Sequence, residues 1–247
     1  MSHTDSASLI NTIIIKIILH TYLNRKGETG RKCVLVGSIN FVKTEKMNAI
    51  IFDLVGVVMN LNIERDTAAL HSVGLPDYVG CLANEGIRTP MEAYLNGLIP
   101  KQEFLEGIRP FCREGVTDSE ILWSMDAVLD DIPRERIEKI IRLKEKYRVF
   151  LLSNLYDTAW EHTLREFARA GYSPSHCFER VFLSQKLGMA KPDPRIFLHV
   201  VEETGIEPSE TFFFDDTKAN IESANALGFR SVLVPMNRVE EVLTEMF

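Results

Sequence analysis

The 247-residue sequence predicts an α/β fold, a doubly wound parallel sheet with an inserted helical cap domain. Three observations predict it. Five short apolar runs recur along residues 47–247, amphipathic helical patterns separate most of them, and one long stretch without a strand-like run follows the first. The composition, 45% hydrophobic and 26% charged, is that of a globular protein and excludes wholesale disorder, collagen and coiled coil.

Each predicted strand is three to five residues long and rich in β-branched or aromatic side chains, which is typical of strands buried on both faces of a parallel sheet. The predicted strands are Ala49–Phe52, Val149–Leu152, Val181–Leu183, Thr211–Phe214 and Ser231–Val234. Helices with one apolar stripe are predicted over Arg134–Tyr147, Pro194–Thr204 and Asn220–Leu227, the last ending at Gly228. This alternation predicts a Rossmann-like core.

The stretch 62–131 contains only helical segments divided by turns. Such an insertion does not fit inside a parallel sheet, so we expect it to form a helical cap over one edge. The core is then residues 47–61 and 132–247.

Residues 1–46 differ in charge from the rest of the chain. They hold seven basic and three acidic residues, a net charge of +4. Because the whole chain has a net charge of −7, residues 47–247 carry −11. Their apolar residues follow neither a helical nor a strand period. We interpret Met47 as the natural start and assign no function to the extension; the alternative is a native arm that binds a membrane surface or a partner.

Composition also limits the partners. An acidic chain is a poor candidate for binding the nucleic-acid backbone, which requires clustered Lys and Arg. The apolar run from Leu9 to Leu19 is too short to span a bilayer, and no basic leader precedes it. Four widely spaced cysteines suggest neither a disulfide framework nor a metal site. We therefore expect a cytoplasmic protein with no nucleic-acid or membrane partner.

Polar side chains follow the predicted strands where ligands bind in open α/β sheets. Asp53 follows the first strand, Ser153 and Asn154 the second, and Asp215 and Asp216 the fourth, while Lys191 lies in a proline-rich turn after the third. If the strands are parallel, three carboxylates, a hydroxyl and an ammonium meet in one crevice.

This set favours phosphoryl chemistry. Three carboxylates in one pocket repel each other unless a cation lies between them, and hard oxygen ligands suit Mg²⁺. A lysine and a serine hydroxyl can hold phosphate oxygens, and one carboxylate can attack phosphorus. Taken singly, each residue has a simpler interpretation as a turn, helix-capping or solvated side chain. Their joint occurrence in order at strand ends decides between these interpretations.

Four segments carry a family resemblance, which covers residues 47 to about 236. Ile50–Val57 resembles the first motif of the haloacid dehalogenase-like superfamily, Leu151–Asn154 the second, Gly188–Phe197 the third and Phe212–Asn220 the fourth. Leu183 to Gly228 is similar to the bacterial α-D-glucose-1-phosphate phosphatase branch.

The resemblance implies a role for each site residue. Asp53 would be the nucleophile and a Mg²⁺ ligand, and Asp215 and Asp216 would complete the metal site. Ser153 would bind the phosphoryl group with help from Asn154, and Lys191 would steady both nucleophile and phosphate. The insertion at 62–131 matches the position where caps of this family determine specificity.

Val55 departs from the family pattern. Phosphatases of this family commonly have an Asp there that protonates the leaving group, and Val55 offers only its backbone carbonyl to the metal. The glucose-1-phosphate-like branch also tends to lack this acid. The expected function is Mg²⁺-dependent hydrolysis of a small phosphorylated metabolite through an aspartyl-phosphate. The alternatives are a metal-free dehalogenase of the same superfamily and a non-catalytic phosphate-binding or regulatory module.

Overall fold

Five strands form one fully parallel sheet in the order β3-β2-β1-β4-β5 in the computed structural model, which describes residues 47–247. The predicted extension, residues 1–46, lies outside the described residues. The strands are β1 Ala49–Phe52, β2 Arg148–Ser153, β3 Arg180–Leu183, β4 Thr211–Asp215 and β5 Arg230–Leu233. The predicted fold class is confirmed, and every predicted strand is present within one residue at its start or end.

Helices account for most of the remaining secondary structure. They are α1 Ile63–Ser72, α2 Tyr78–Ala83, α3 Glu85–Leu95, α4 Lys101–Ile108, α5 Asp118–Asp126, α6 Arg134–Leu143, α7 Asp157–Arg169, α8 Pro174–Cys177, α9 Ser184–Leu187, α10 Pro194–Thr204, α11 Lys218–Ala226 and α12 Val239–Met246. Helix α6 is four residues shorter than predicted, because residues 144–147 form the turn that leads into β2. In residues 47–247, no helix has the length and apolar character needed to cross a membrane.

Strand β1 lies at the centre of the sheet, and all four of its residues are buried. Alternate side chains of a strand point to opposite faces. Ile50 and Phe52 therefore pack into one hydrophobic cluster, which continues into helices α1 to α5. Ala49 and Ile51 pack into a second cluster with α10 and α11. Burial on both faces explains why this strand contains no polar residue.

Helices α1 to α5 all lie between β1 and α6 in the chain, in the stretch for which the sequence predicts a cap. That this stretch is a separate cap domain stays a prediction. The two chain segments that join this insertion to the sheet pair with each other. Leu61 and Leu129 form an antiparallel bridge, the amide of Asn60 donates to the carbonyl of Asp131 at 2.9 Å, and the amide of Asp130 donates back to Asn60 at 2.9 Å. The paired segments are short, and they hold the insertion beside the loop that follows β1.

Candidate active site

The register of the sheet brings the polar residues after β1 and β4 side by side. Phe52 of β1 pairs with Phe214 of β4, and the amide of Asp53 donates to the carbonyl of Phe214 at 2.8 Å. Asp53 and Asp215 are therefore neighbours at the carboxyl edge. On the other side of β1, Phe52 pairs with Leu151, which places Ser153 one residue beyond the level of Asp53.

Lys191 lies between these strand ends and is almost fully buried, with 1% of its side chain exposed. Its ammonium contacts Asp53 Oδ1 at 2.8 Å and Asp215 Oδ2 at 2.7 Å, and it donates to the carbonyl of Leu152 at 2.9 Å. Burial by itself lowers the pKa of a lysine, but here Asp215 and Asp53 outweigh it and raise the pKa of Lys191. The side chain is thus a fixed cation.

Asp215 is held by several donors. The Asn220 amide donates to both of its carboxylate oxygens at 3.0 Å, and the Thr217 amide donates to Oδ1 at 2.8 Å. With Lys191 on Oδ2, both oxygens already have protein partners. Asn220 and Thr217 belong to the start of α11, so this helix fixes the orientation of the carboxylate.

Asp216 has far fewer partners. The hydrogen bond it accepts comes from its neighbour Thr217, whose hydroxyl lies 3.2 Å from Oδ1. Its Oδ2 lies against Gly56, where a Cβ would stand only 2.2 Å from that oxygen. Gly56 has a φ of +82°, so both its backbone and the space in front of it require glycine. Gly56 therefore makes room for the Asp216 carboxylate beside the loop after β1.

Asp53, Asp215 and Asp216 each present a carboxylate oxygen within 4.8 Å of the others. Burial raises the pKa of Asp53 to about 6; the ammonium of Lys191 opposes this rise and the carboxylate of Asp215 adds to it. Burial, followed by repulsion from Asp215 and Asp53, raises the pKa of Asp216 well above its ordinary value. When all three carboxyls are ionised, they and the one ammonium carry a net charge of −2, which fits a divalent cation with oxygen ligands.

Ser153 and Asn154 lie where the sequence predicts, at the end of β2, and both contact the backbone. The Ser153 side chain is fully buried, and its hydroxyl is 3.4 Å from the carbonyl of Asn154. The Asn154 amide donates to the carbonyl of Lys191 at 2.7 Å, and its Oδ1 accepts from the amide of Lys191 at 2.8 Å. Asn154 thus holds the Lys191 backbone; its contact with a phosphoryl group stays a prediction.

Val55 is half-buried and forms a short bridge with Met59 in the loop after β1. It supplies no ionisable group to the site. In the described residues, the carboxyl groups that contact Lys191 are those of Asp53 and Asp215, and the Asp216 carboxyl lies near these two.

Comparison with known proteins is in keeping with this constellation. The family model for haloacid dehalogenase-like hydrolases matches residues 47–228. The chain belongs to this family. The prediction that the chain is a phosphoric monoester hydrolase of this family is confirmed, because two relatives aligned over about three quarters of the chain are phosphatases.

Two curated relatives and one solved structure are the most informative. The D-ribitol-5-phosphate phosphatase of Bacteroides thetaiotaomicron is 27% identical over 184 residues, 74% of this chain and 89% of that protein. The phosphorylated carbohydrates phosphatase of Thermotoga maritima is 25% identical over 191 residues, which are 75% of this chain and 84% of that protein. The magnesium complex of a haloacid dehalogenase family enzyme from B. thetaiotaomicron superimposes with a TM-score of 0.72 and 32% identity, covering 81% of this chain and 99% of that one.

The sequence did not predict two residues that hold the loop after Asp53. Arg136 on α6 is 2% exposed and donates to the carbonyls of Val57 and Val58 and to Asn60 Oδ1, each at 3.0 Å, while it pairs with Glu240 of α12. In the sequence it is one polar position in an amphipathic helix. A lone arginine there gives no signal of its distant partners.

Asn237 holds the same loop from the other side. Its amide donates to the carbonyl of Gly56 at 2.8 Å, and its side chain both accepts from and donates to the backbone of Leu61. Its φ of +62° is a left-handed conformation that asparagine tolerates better than most residues. Asn237 lies beyond the segment matched by the family model, so the motifs gave no indication of it.

Proposed function

We propose that this chain is a Mg²⁺-dependent phosphatase that hydrolyses a small phosphomonoester, such as a sugar or polyol phosphate, through an aspartyl-phosphate on Asp53. The observation that carries the proposal is the cluster of Asp53, Asp215 and half-buried Asp216, the first two of which contact one fixed ammonium. The phosphatase names of the two curated relatives support the same reaction class.

In the first step, a carboxylate oxygen of Asp53 attacks phosphorus and the bond from phosphorus to the leaving oxygen breaks. Lys191 lies 2.8 Å from Asp53 Oδ1, so it orients the nucleophile and offsets charge on the incoming phosphate. Val55 carries no acid, so the leaving oxygen takes its proton from water or from the substrate. In the second step, water attacks phosphorus, inorganic phosphate leaves, and the Asp53 carboxylate is regenerated.

The divalent cation would be held by Asp53, Asp215, Asp216 and the backbone carbonyl of Val55. When bound, it would neutralise the carboxylates and polarise a phosphate oxygen. Asp216 has more unused oxygen capacity than Asp215, because Asp215 is already engaged by Lys191, Asn220 and Thr217. Ser153 would contribute its hydroxyl to the phosphoryl group.

The other two candidate functions are less well supported. A metal-free dehalogenase has no use for the half-buried, under-coordinated carboxylate of Asp216 beside Asp53. A binding module would not need Asp53 and Lys191 in direct contact. The predicted absence of nucleic-acid and membrane partners and the cytoplasmic location remain predictions; the charge of −11 over residues 47–247 argues against nucleic acid.

The test is a panel of phosphomonoesters incubated with the purified protein, with phosphate release measured in Mg²⁺ and in EDTA. We expect hydrolysis in Mg²⁺ and its loss in EDTA. Asp53→Asn should abolish turnover while the melting temperature stays within a few degrees of wild type. Asp216→Asn should retain activity but require more Mg²⁺ for half-maximal rate.

Asp118→Asn, at an exposed position on α5, is the matched control and should behave as wild type. Wild-type rates in Asp53→Asn would disprove the covalent mechanism. Metal-independent halide release from a 2-haloacid would indicate the dehalogenase. Binding of phosphate analogues without any turnover would indicate the binding module.

A further inference from the structure

The side chain of Asn96 joins the inserted helices to the segment that holds Lys191. Asn96 directly follows α3, and its Oδ1 accepts a hydrogen bond from the side-chain amide of Asn154 at 2.8 Å. The same Asn154 nitrogen donates to the carbonyl of Lys191 at 2.7 Å, and Asn154 Oδ1 accepts from the Lys191 amide at 2.8 Å. Both hydrogens of that nitrogen therefore have protein acceptors. The orientation of the Asn154 amide thus depends on a residue 58 positions away in the chain.

The end of α3 fixes the Asn96 side chain in turn. Its backbone amide and its side-chain nitrogen both donate to the carbonyl of Glu92, at 3.0 and 2.8 Å. With the nitrogen held there, Oδ1 is left to face Asn154. The next residue, Gly97, has a φ of +68°, and a Cβ on it would lie 2.5 Å from the carbonyl of Leu155. The backbone after α3 therefore touches the segment after β2 beside this hydrogen bond.

Aromatic packing holds the same two segments together without Asn96. The ring of Tyr94, in the last turn of α3, lies 4.7 Å from the ring of Tyr156 between centroids, and both residues are buried. The Tyr94 hydroxyl lies 3.5 Å from the hydroxyl of Thr158. A change at Asn96 should therefore remove the hydrogen bond to Asn154 while the two segments stay in contact.

We propose that Asn96 is a positioning residue for the reaction, which fixes the backbone of Lys191 through Asn154. The Lys191 ammonium lies 2.8 Å from Asp53 Oδ1, and a displacement of about 1 Å in a catalytic group can cost about 100-fold in rate. Asp215 also holds this ammonium, so we expect a partial loss of rate when Asn96 is replaced. The inference rests on the proposed function, which gives Lys191 its role. It makes the contact between α3 and the end of β2 part of the catalytic arrangement.

The test compares Asn96→Leu and Asn96→Asp with wild type on 4-nitrophenyl phosphate in Mg²⁺. Leucine is close to asparagine in size and cannot accept from Asn154. Aspartate can accept from Asn154 but cannot donate to Glu92, and its charge is unfavourable at the C-terminus of a helix. We expect Asn96→Leu to lower kcat about tenfold, roughly the effect of one hydrogen bond, with KM within about twofold of wild type. Asn96→Asp should keep kcat within about twofold of wild type although its melting temperature falls.

Asn84→Leu is the matched control, because Asn84 caps the other end of α3 by accepting from the Gly86 amide at 3.0 Å. This variant should have a lower melting temperature, as the loss of a helix cap predicts, and the kcat of wild type. A second readout is hydrogen exchange of the Lys191 backbone amide followed by NMR, which requires no activity. Exchange should be faster in Asn96→Leu, because Asn154 Oδ1 accepts from this amide, and unchanged in Asn84→Leu.

A kcat that fell with the melting temperature across all three variants would give Asn96 a structural role and overturn the inference. A wild-type kcat in Asn96→Leu would overturn it and leave the phosphatase proposal intact. A lower kcat with unchanged exchange at Lys191 would also overturn it, because Asn96 would then not act through Asn154. Absence of hydrolysis of any phosphomonoester by the wild-type protein would overturn the proposed function, and with it the role of Asn96 in the reaction.

Discussion

Replacing Arg136 should destabilise the protein more than replacing any of its surface arginines, because its guanidinium satisfies the loop that follows Asp53. In Arg136→Met, the carbonyls of Val57 and Val58 and the side-chain oxygen of Asn60 lose their donor. Methionine fills the space of the aliphatic stem but donates no hydrogen bond. The loop that carries Gly56 and Val55 should then loosen.

The magnitude follows from the burial of each acceptor. Val57 and Val58 are fully buried, so each unsatisfied carbonyl costs about 1–2 kcal/mol, and the half-buried Asn60 costs about 1 kcal/mol. Glu240 is 37% exposed, so water can replace most of its ion pair with Arg136. The total is about 3–5 kcal/mol, the range for breaking a buried ion pair from one side. For a domain of this size that lowers the melting temperature by roughly 10 °C.

Urea denaturation followed by circular dichroism measures this loss, with Arg169→Met as control. Arg169 is 65% exposed and pairs with Glu166, so its replacement should change the unfolding free energy by less than about 0.5 kcal/mol. Arg136→Lys should lie between wild type and methionine, since one ammonium cannot reproduce the planar fork. A loss below about 1 kcal/mol in Arg136→Met would refute the reasoning, because the loop would then have other donors.

Three further predictions follow from the described residues. Val55→Asp should raise kcat, with the larger gain on alkyl phosphates, because it supplies an acid for the leaving oxygen. The measurement is kcat of both proteins on phosphate esters whose leaving groups differ in acidity. If kcat depended equally on leaving-group acidity in both proteins, another group would already supply the proton. A variant that begins at Met47 should fold and hydrolyse phosphate esters as the full chain does, because residues 47–247 form one compact unit; aggregation or a lower melting temperature of the shortened chain would contradict this. Burial, aided by Asp77, raises the pKa of Asp66 to about 7, so its contribution to stability is fully present below about pH 4 and is lost as the pH rises through 7. Asp66→Asn should therefore stabilise the protein at pH 8 by up to about 4 kcal/mol and much less at pH 5; equal urea midpoint shifts at both pH values would contradict that origin.

The amino-acid sequence by itself determined the fold class and the polar residues of the candidate active site. Short apolar strands recur along the chain with helices between them. In a parallel sheet, the residues at the carboxyl ends of such strands lie at one edge. Asp53 and Asp215 are neighbours for this reason, since Asp53 directly follows β1 and Asp215 is the last residue of β4. The sequence did not determine where each helix ends. Helix α6 ends at Leu143 because the chain must turn into β2, and apolar periodicity does not encode that turn.

Tertiary structure decided which groups those side chains face. Asn154 holds the backbone of Lys191 because a loop after β3 passes beside the end of β2, and no local pattern predicts that approach. Arg136 and Asn237 hold the loop after β1 from segments about 80 and 180 residues away along the chain. Local sequence sets the backbone preference and the burial pattern. Hydrogen-bond partners depend on contacts between distant segments, which exist only once the chain has folded.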